Sequence, residues 1–480
     1  MRNTEDSSYR NILRNTSLFG SIQFFNILIA LVRNKLVALI LGPQGMGLNS
    51  LFNSTVQLLS STSNMGLETS AVRRLSEIYD DGYEQQLRHR IMVIRSWTLI
   101  TASAGMLLCL LLSNILSNIT FSWGNHTLHF MLLSPAVAMI TITGSEAAIL
   151  KSLRQLSSLA RISIINAVLA LLLTTPVLYF YGQKGIVPSI LIISFTQMAL
   201  TCRQSYRLSP LRLSFNKNVL SQGSDMLKLG VSFVLAGIFA AGADFAIRSV
   251  LNNLAELDVV GLYNAGFMVT TTYAGMVFSS MTTDFFPRLS AVNRDTVASN
   301  MLINRQIMVS LIMIGPMLIA FVISVPVIVP LLYSQQFMPI VPMIQVTVLA
   351  MFLRAMKLPV AYITLAKGAS RDYFLLEAYS AVVMVIAVIG GFLQWGLLGT
   401  GIGLLITGVI DFMVINIYAY IRYDYRVSPA VVRLGLLQFL LLLSTYFLSL
   451  TTHGYVYWII GVSMTLCSAL LSLFYYKRRN

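Results

Sequence analysis

Residues 31–54 read LVRNKLVALILGPQGMGLNSLFNS. Two apolar runs meet at Gly42-Pro43, and each carries side chains that a lipid-facing helix excludes: Arg33 and Lys35 on the first, Asn49 and Asn53 on the second. The rest of the chain decides which solvent this stretch faces. Of 480 residues, 56% are hydrophobic and only 11% charged, against roughly 25% charged in a typical soluble protein. So little charge cannot cover the surface of a water-soluble chain of this length. A soluble enzyme, a disordered chain and a disulfide-stapled secreted domain are excluded. Cys109, Cys202 and Cys467 lie far apart in apolar runs and offer neither a disulfide framework nor a metal site. The net charge of +15 has no soluble basic domain to present it to nucleic acid. The chain reads as a many-helix membrane protein.

An apolar helix crosses the hydrocarbon core in about 20 residues. That window gives fourteen expected spans: 16–41, 45–69, 92–117, 127–149, 160–181, 183–204, 226–251, 260–284, 302–333, 341–366, 373–394, 397–421, 430–450 and 454–476. No small-residue cleavage site follows the first, so it is read as a retained helix. Lys and Arg gather at alternate connections. Arg2, Arg10 and Arg14 precede span 1, Arg73, Arg74, Arg88 and Arg90 follow span 2, and Lys151 and Arg154 follow span 4. Arg203, Arg207 and Arg212 mark the end of span 6, and Lys477, Arg478 and Arg479 end the chain. The opposite connections hold Lys184 alone. The asymmetry places both termini in the cytoplasm.

The chain also matches itself. An offset of 214 residues aligns Gly47-Leu48 with Gly261-Leu262, Thr69 with Thr283, and Arg74-Leu75-Ser76 with Arg288-Leu289-Ser290. Arg33 and Arg248 hold nearly equivalent places ahead of these matches. The repeat covers six spans, an even number, so both copies face the same way, as in transporters whose halves are related by an axis along the membrane normal. The expected architecture is an all-α polytopic protein: an N-lobe over 1–204, a C-lobe over 205–425, and two additional helices over 426–480.

Polar residues in the spans suggest a water-filled interior. At 100° per residue, Asn49, Asn53, Gln57, Ser60, Asn64 and Glu68 fall on one side of span 2. Gln23, Asn26, Arg33 and Asn34 share a face of span 1, and Asn264, Thr271, Gly275, Ser279 and Thr282 repeat the pattern in span 8. A single stripe is also what helix–helix hydrogen bonding in a dry bundle produces. Matching stripes in both repeats favour a shared cavity. Charges in mid-membrane face interior pathways because lipid exposure is costly. Arg354 and Lys357 share a face of span 10, while Asp244 and Arg248, four apart in span 7, can pair with each other. Asp411 is the other deep carboxylate; Glu68, Glu146 and Asp284 sit near cytoplasmic ends, and Lys35 snorkels or marks a break near Gly42-Pro43. The interior is thus expected to be cationic and to prefer an anionic ligand. Prolines 135, 176, 188, 316, 326, 330 and 359 interrupt spans. His126, His129 and His453 read as solvated outer-loop residues. No catalytic constellation, nucleotide loop, metal site or cofactor motif is found.

Three stretches carry a resemblance: LVRNKLVALILGPQGMGLNSLFNS (31–54), LKSLRQLSSLARIS (150–163), and GLYNAGF with SSMTTDFFPRLSAV within 261–292. They resemble the polysaccharide and O-antigen flippases of the multidrug/oligosaccharidyl-lipid/polysaccharide exporter superfamily, which also holds the lipid II flippase. The resemblance implies two six-helix lobes around a central cationic cavity and outward movement of undecaprenyl-diphosphate-linked sugars by alternating access. It also implies residence in the bacterial inner membrane. The lipid II flippase carries two extra C-terminal helices, like the last two spans here, and an essential first-helix arginine whose position Arg33 resembles. On this reading the diphosphate meets Arg33, Arg248, Arg354 and Lys357. The sugars occupy the polar cavity lined by Gln23, Asn26, Asn49, Asn53, Gln57, Asn64, Asn264 and Thr271. Asp244 and Asp411 are the candidates for coupling to H+ or Na+, and a polysaccharide polymerase is the expected downstream partner. A cation-coupled multidrug exporter is the alternative, expected to have an acidic cavity. A membrane polymerase or ligase is a second alternative, expected to carry a large outer loop with catalytic Arg or His.

Overall fold

At Gly42 the first helix breaks. The computed structural model describes the backbone of residues 2–80, 83–273, 285–286, 288–452 and 454–477. It describes their side chains from residue 25 onward, with residues 27, 69, 73, 77, 80, 218, 220, 222–234, 272 and 273 as backbone only. Among the described residues every regular element is helical. Helix α1 (Arg2–Asn64) changes direction at Gly42, whose φ of 63° and ψ of −172° leave the helical region. Only glycine takes that φ without a steric penalty, and Pro43 removes the next backbone donor, so the helix can restart but not continue.

Among the described residues, ten helical stretches are long and apolar enough to cross a membrane. Three of them contain a break: α1 at Gly42, residues 156–208 at a 3-10 turn over Gly182–Gly185, and residues 370–423 at Trp395-Gly396. At the last, Gly396 has φ 58° and the two halves fold back on each other. A Cβ on Gly399 would lie 1.8 Å from the Gly391 carbonyl oxygen, and one on Gly403 2.3 Å from that of Ala387. This is a helical hairpin whose backbones touch because glycines line the seam. Helices continue through Pro135, Pro176, Pro316, Pro326, Pro330 and Pro359. Most of the expected span 260–284 lies outside the described residues.

Contacts divide the chain into two units, Met1–Leu257 and Asp258–Asn480. In the first, α2 (Leu67–Asp80), α3 (Glu84–Thr120), α4 (Thr127–Ser152), α5 (Leu156–Tyr181), α6 (Ile186–Leu208) and α7 (Lys217–Leu254) join α1. The strongest packing is of α3 on α4, with α7 against α1, α2 and α3. Helix α2 is amphipathic: Ala71 and Leu75 enter a core with Ile91, Ile94, Ile149 and Val219. In the second unit, α8 (Leu257–Phe267) passes into a π-helical turn, Met268–Tyr273. There follow α9 (Thr296–Leu332), α10 (Val341–Ala366), the hairpin α11 (Ser370–Tyr423), α12 (Pro429–Thr451) and α13 (Gly454–Lys477). α10 packs on α11 and α9, and α9 also carries α12 and α13. Two leucine pairs matched by the sequence repeat share their burial: Leu48 and Leu262 are both buried, as are Leu75 and Leu289.

Candidate functional site

In the first unit, α1 and α7 supply the charged and polar side chains. Arg33 is half-buried, and its Nε is enclosed without a hydrogen-bond partner among the described residues; the Oδ1 of Asn26 is in the same position. The side chain of Gln23 lies outside the described residues. Beyond the kink, the polar stripe splits in two. Ser60 is buried and bonds its own helix backbone, as does Ser63, which also meets Thr141 of α4 at 3.1 Å. Asn53 and Gln57 remain exposed and Asn49 partly so, with the Asn53 amide donating to Asn49. Asn64 donates to Glu68 at 2.7 Å. On α7, Nη1 of Arg248 lies 2.6 Å from Oδ1 of Asp244. The arginine side chain is 6% exposed and the aspartate 36%. A spacing of four on a helix brings them together, as the sequence allowed.

In the second unit, the seam between α10 and α11 holds the charges. Lys357 donates to Oδ2 of Asp411 at 2.5 Å, and Ser380 donates to the same oxygen at 2.7 Å. Arg354, one turn before Lys357, is within electrostatic reach of Glu377 and Asp411. Glu377 in turn faces Lys357, Asp411 and Arg354. Asn264 is buried with its amide 3.8 Å from the Met268 sulfur, and Thr271 sits in the π-helical turn. Gly275, Ser279, Thr282 and Asp284 lie outside the described residues. Of the cations on spanning helices, Arg248 and Lys357 each lie against a carboxylate and Arg354 lies near two.

A family model described as "Polysaccharide biosynthesis protein" matches residues 12–293. The chain belongs to that family. No curated protein matches it significantly. The fold of this polysaccharide biosynthesis protein is shared with solved flippases and transporters. The lipid II flippase MurJ, in an inward closed conformation, superposes with a TM-score of 0.72 at 13% identity, covering 96% of this chain and 100% of that one. An inward-facing multidrug resistance MATE family transporter of the MOP superfamily gives 0.69 at 14%, covering 85% and 98%. A MOP superfamily transporter from Pyrococcus furiosus, described by the reversed polarity of its binding pocket, gives 0.60 at 14%, covering 85% and 94%.

Two features of this family member differ from the sequence reading or were not visible in it. His126 and His129 are partly buried, each with its Nδ1 enclosed. The His129 ring stacks on Phe52 at 5.7 Å, and the His126 ring lies tilted against Phe121 at 4.1 Å, with Trp123 edge-on to His126 at 5.3 Å. Phe52 is distant in sequence, so nothing local announced this aromatic cluster. His453 lies outside the described residues. Burial, and then the neighbouring His129, hold the His126 imidazole below the ordinary histidine range. The folded state therefore favours the neutral ring, and stability is lost as the pH falls below about 6.5. Thermal unfolding of the detergent-purified protein is expected to shift down between about pH 7.5 and about 5.5, with a shallower slope in His126→Phe. An unchanged slope in that variant would place the titration elsewhere.

The second feature is an ion pair between α3 and α4. Arg95 holds Glu146 through two hydrogen bonds, 2.8 and 3.1 Å, and its remaining N–H groups go to Ser205 Oγ and the Ser209 and Pro210 carbonyls. The next two residues continue the attachment: Ser96 Oγ accepts from the Ser214 amide and Trp97 donates to the Val219 carbonyl. Three consecutive side chains thus fasten the connection from α6 to α7. Glu146, near the cytoplasmic end of its expected span, is only 3% exposed.

Proposed function

We propose that this protein flips an anionic, undecaprenyl-diphosphate-linked oligosaccharide from the cytoplasmic to the outer leaflet of the bacterial inner membrane, by alternating access, for surface polysaccharide such as O-antigen. The observation that carries the reading is the set of cations on spanning helices, Arg33 and Arg248 in one unit and Arg354 and Lys357 in the other, in a member of the polysaccharide biosynthesis family. Mid-membrane cations are retained where they serve a pathway, and a diphosphate suits arginine's two-pronged donors. The exposed amides of Asn53 and Gln57 on a spanning helix suit sugar hydroxyls better than lipid. A cytoplasm-negative potential favours outward movement of the diphosphate by roughly 2.3 kcal/mol per charge per 100 mV, about 4–5 kcal/mol for two charges. A multidrug exporter would want free carboxylates for a cationic drug. Here Asp244 and Asp411 each hold a cation.

In this reading the chain crosses fourteen times with both termini in the cytoplasm. Cysteines placed at the exposed positions Ser122 and Gln335, in a background lacking the three native cysteines, are expected to react with an impermeant thiol reagent added to intact cells. Cysteines at Ser157 and Ser221, exposed at the other end, are expected to stay unlabelled until the cells are opened. Labelling in the reverse sense at any of the four would show a miscounted span. Direct support for the activity comes from reconstituted vesicles, where wild type should move a labelled lipid-linked oligosaccharide between leaflets and empty vesicles should not.

A further inference from the structure

The Asp244–Arg248 and Lys357–Asp411 pairs differ in which partner is accessible. In Asp244–Arg248 both groups sit on one helix, and the cation is the buried member. In Lys357–Asp411 the partners come from different helices; the lysine is 19% exposed and the aspartate 8%. The ammonium rides on a flexible four-carbon stem, whereas aspartate is short and Ser380 fixes its oxygen. Lysine can therefore turn away and aspartate cannot follow. Arg354 lies one turn along α10, so a phosphate drawn to that arginine arrives within reach of Lys357.

We propose that Asp411 is an internal competitor for the substrate phosphate and a proton acceptor. With no substrate bound, Asp411 holds Lys357. When a phosphate takes Lys357, the ion pair breaks and Asp411 is left charged in a buried place. Burial disfavours an uncompensated carboxylate, so an O–H bond forms on Asp411 with a proton drawn from water. When the phosphate leaves, the proton leaves and the pair re-forms, which resets the site and opposes rebinding. The groups facing this exchange are Arg354 and Lys357 from α10, and Glu377 and Ser380 from the first half of α11. Tyr362 also faces Arg354, and Tyr379 faces Asp411. Two negative charges accompanied by one proton still leave one net negative charge moving with the membrane potential.

This inference rests on the phosphate reading of the cations, and its test separates the two. The full-length protein in detergent, weakly buffered with a pH-indicator dye, is titrated with a short-chain prenyl diphosphate. Wild type should take up about one proton more per bound probe than Asp411→Asn. Asp411→Asn should bind the probe at least about tenfold more tightly, since its competitor is gone. Glu377→Gln should retain the uptake. The double variant Lys357→Met with Asp411→Asn, which removes the pair without stranding a charge, should fold and show no uptake. Binding by wild type with no more uptake than Asp411→Asn would overturn the competitor mechanism alone. Loss of the uptake in Glu377→Gln with its retention in Asp411→Asn would overturn it too. Failure of wild type to bind the probe at all would overturn the phosphate reading and this inference together.

Discussion

Arg33→Ala is expected to abolish surface polysaccharide while leaving the amount of protein in the membrane unchanged. Removing a mid-span arginine eases insertion by about 2.5–3.5 kcal/mol, so failure to insert would not explain the loss. The side chain is half-buried and its Nε has no hydrogen-bond partner among the described residues, which leaves donor capacity for a ligand. Arg33→Lys should retain part of the activity, because lysine keeps the charge but lacks the planar fork that grips two phosphate oxygens. Surface polymer is read on a gel and membrane content by immunoblot. Normal polymer from Arg33→Ala at normal abundance would remove Arg33 from the site.

The largest effect on stability is expected at Arg95. Arg95→Ala strands Glu146, 3% exposed, without its partner. Breaking a buried pair from one side costs about 3–5 kcal/mol, because the remaining charge keeps its desolvation penalty and loses its compensation. The same change frees the Ser209 and Pro210 carbonyls that tie the connection into α7. The variant should show a markedly lower melting temperature in detergent. Arg95→Met with Glu146→Leu, which leaves no stranded charge, should fall between the two. An Arg95→Ala protein that melts with wild type would show that the pair contributes little.

The spanning helices were legible in the sequence because hydrocarbon imposes one requirement, a run of apolar residues of sufficient length. Helix α10, Val341–Ala366, coincides with an expected span, and α4 and α12 differ from theirs by at most three residues. Where the helix outlasts the membrane the window falls short: α3 starts at Glu84 and α7 at Lys217, eight and nine residues before their apolar runs. Glu84, Arg88 and Lys217 in those turns are exposed, and helix formation continues through them. The Asp244–Arg248 pair was legible because a spacing of four fixes it locally. The pairs that cross the fold were not. Arg95 and Glu146 are 51 residues apart, and Lys357 and Asp411 54. Only packing of separate helices brings either pair together. Glu377 sits four residues into an expected span, and its depth beside Arg354 and Lys357 becomes apparent only when α11 folds against α10.

The central claim is that cations on spanning helices carry a diphosphate-linked sugar across the membrane. The most direct measurement is leaflet-to-leaflet transfer in vesicles containing the purified protein, comparing a polyprenyl-diphosphate-linked oligosaccharide with the same sugar and tail joined by an uncharged linker. Wild type should move the diphosphate compound and leave the neutral one at the rate of protein-free vesicles, and Arg33→Ala should move neither. Equal transfer of both compounds by wild type, or transfer of the diphosphate compound no faster than in protein-free vesicles, would contradict the account.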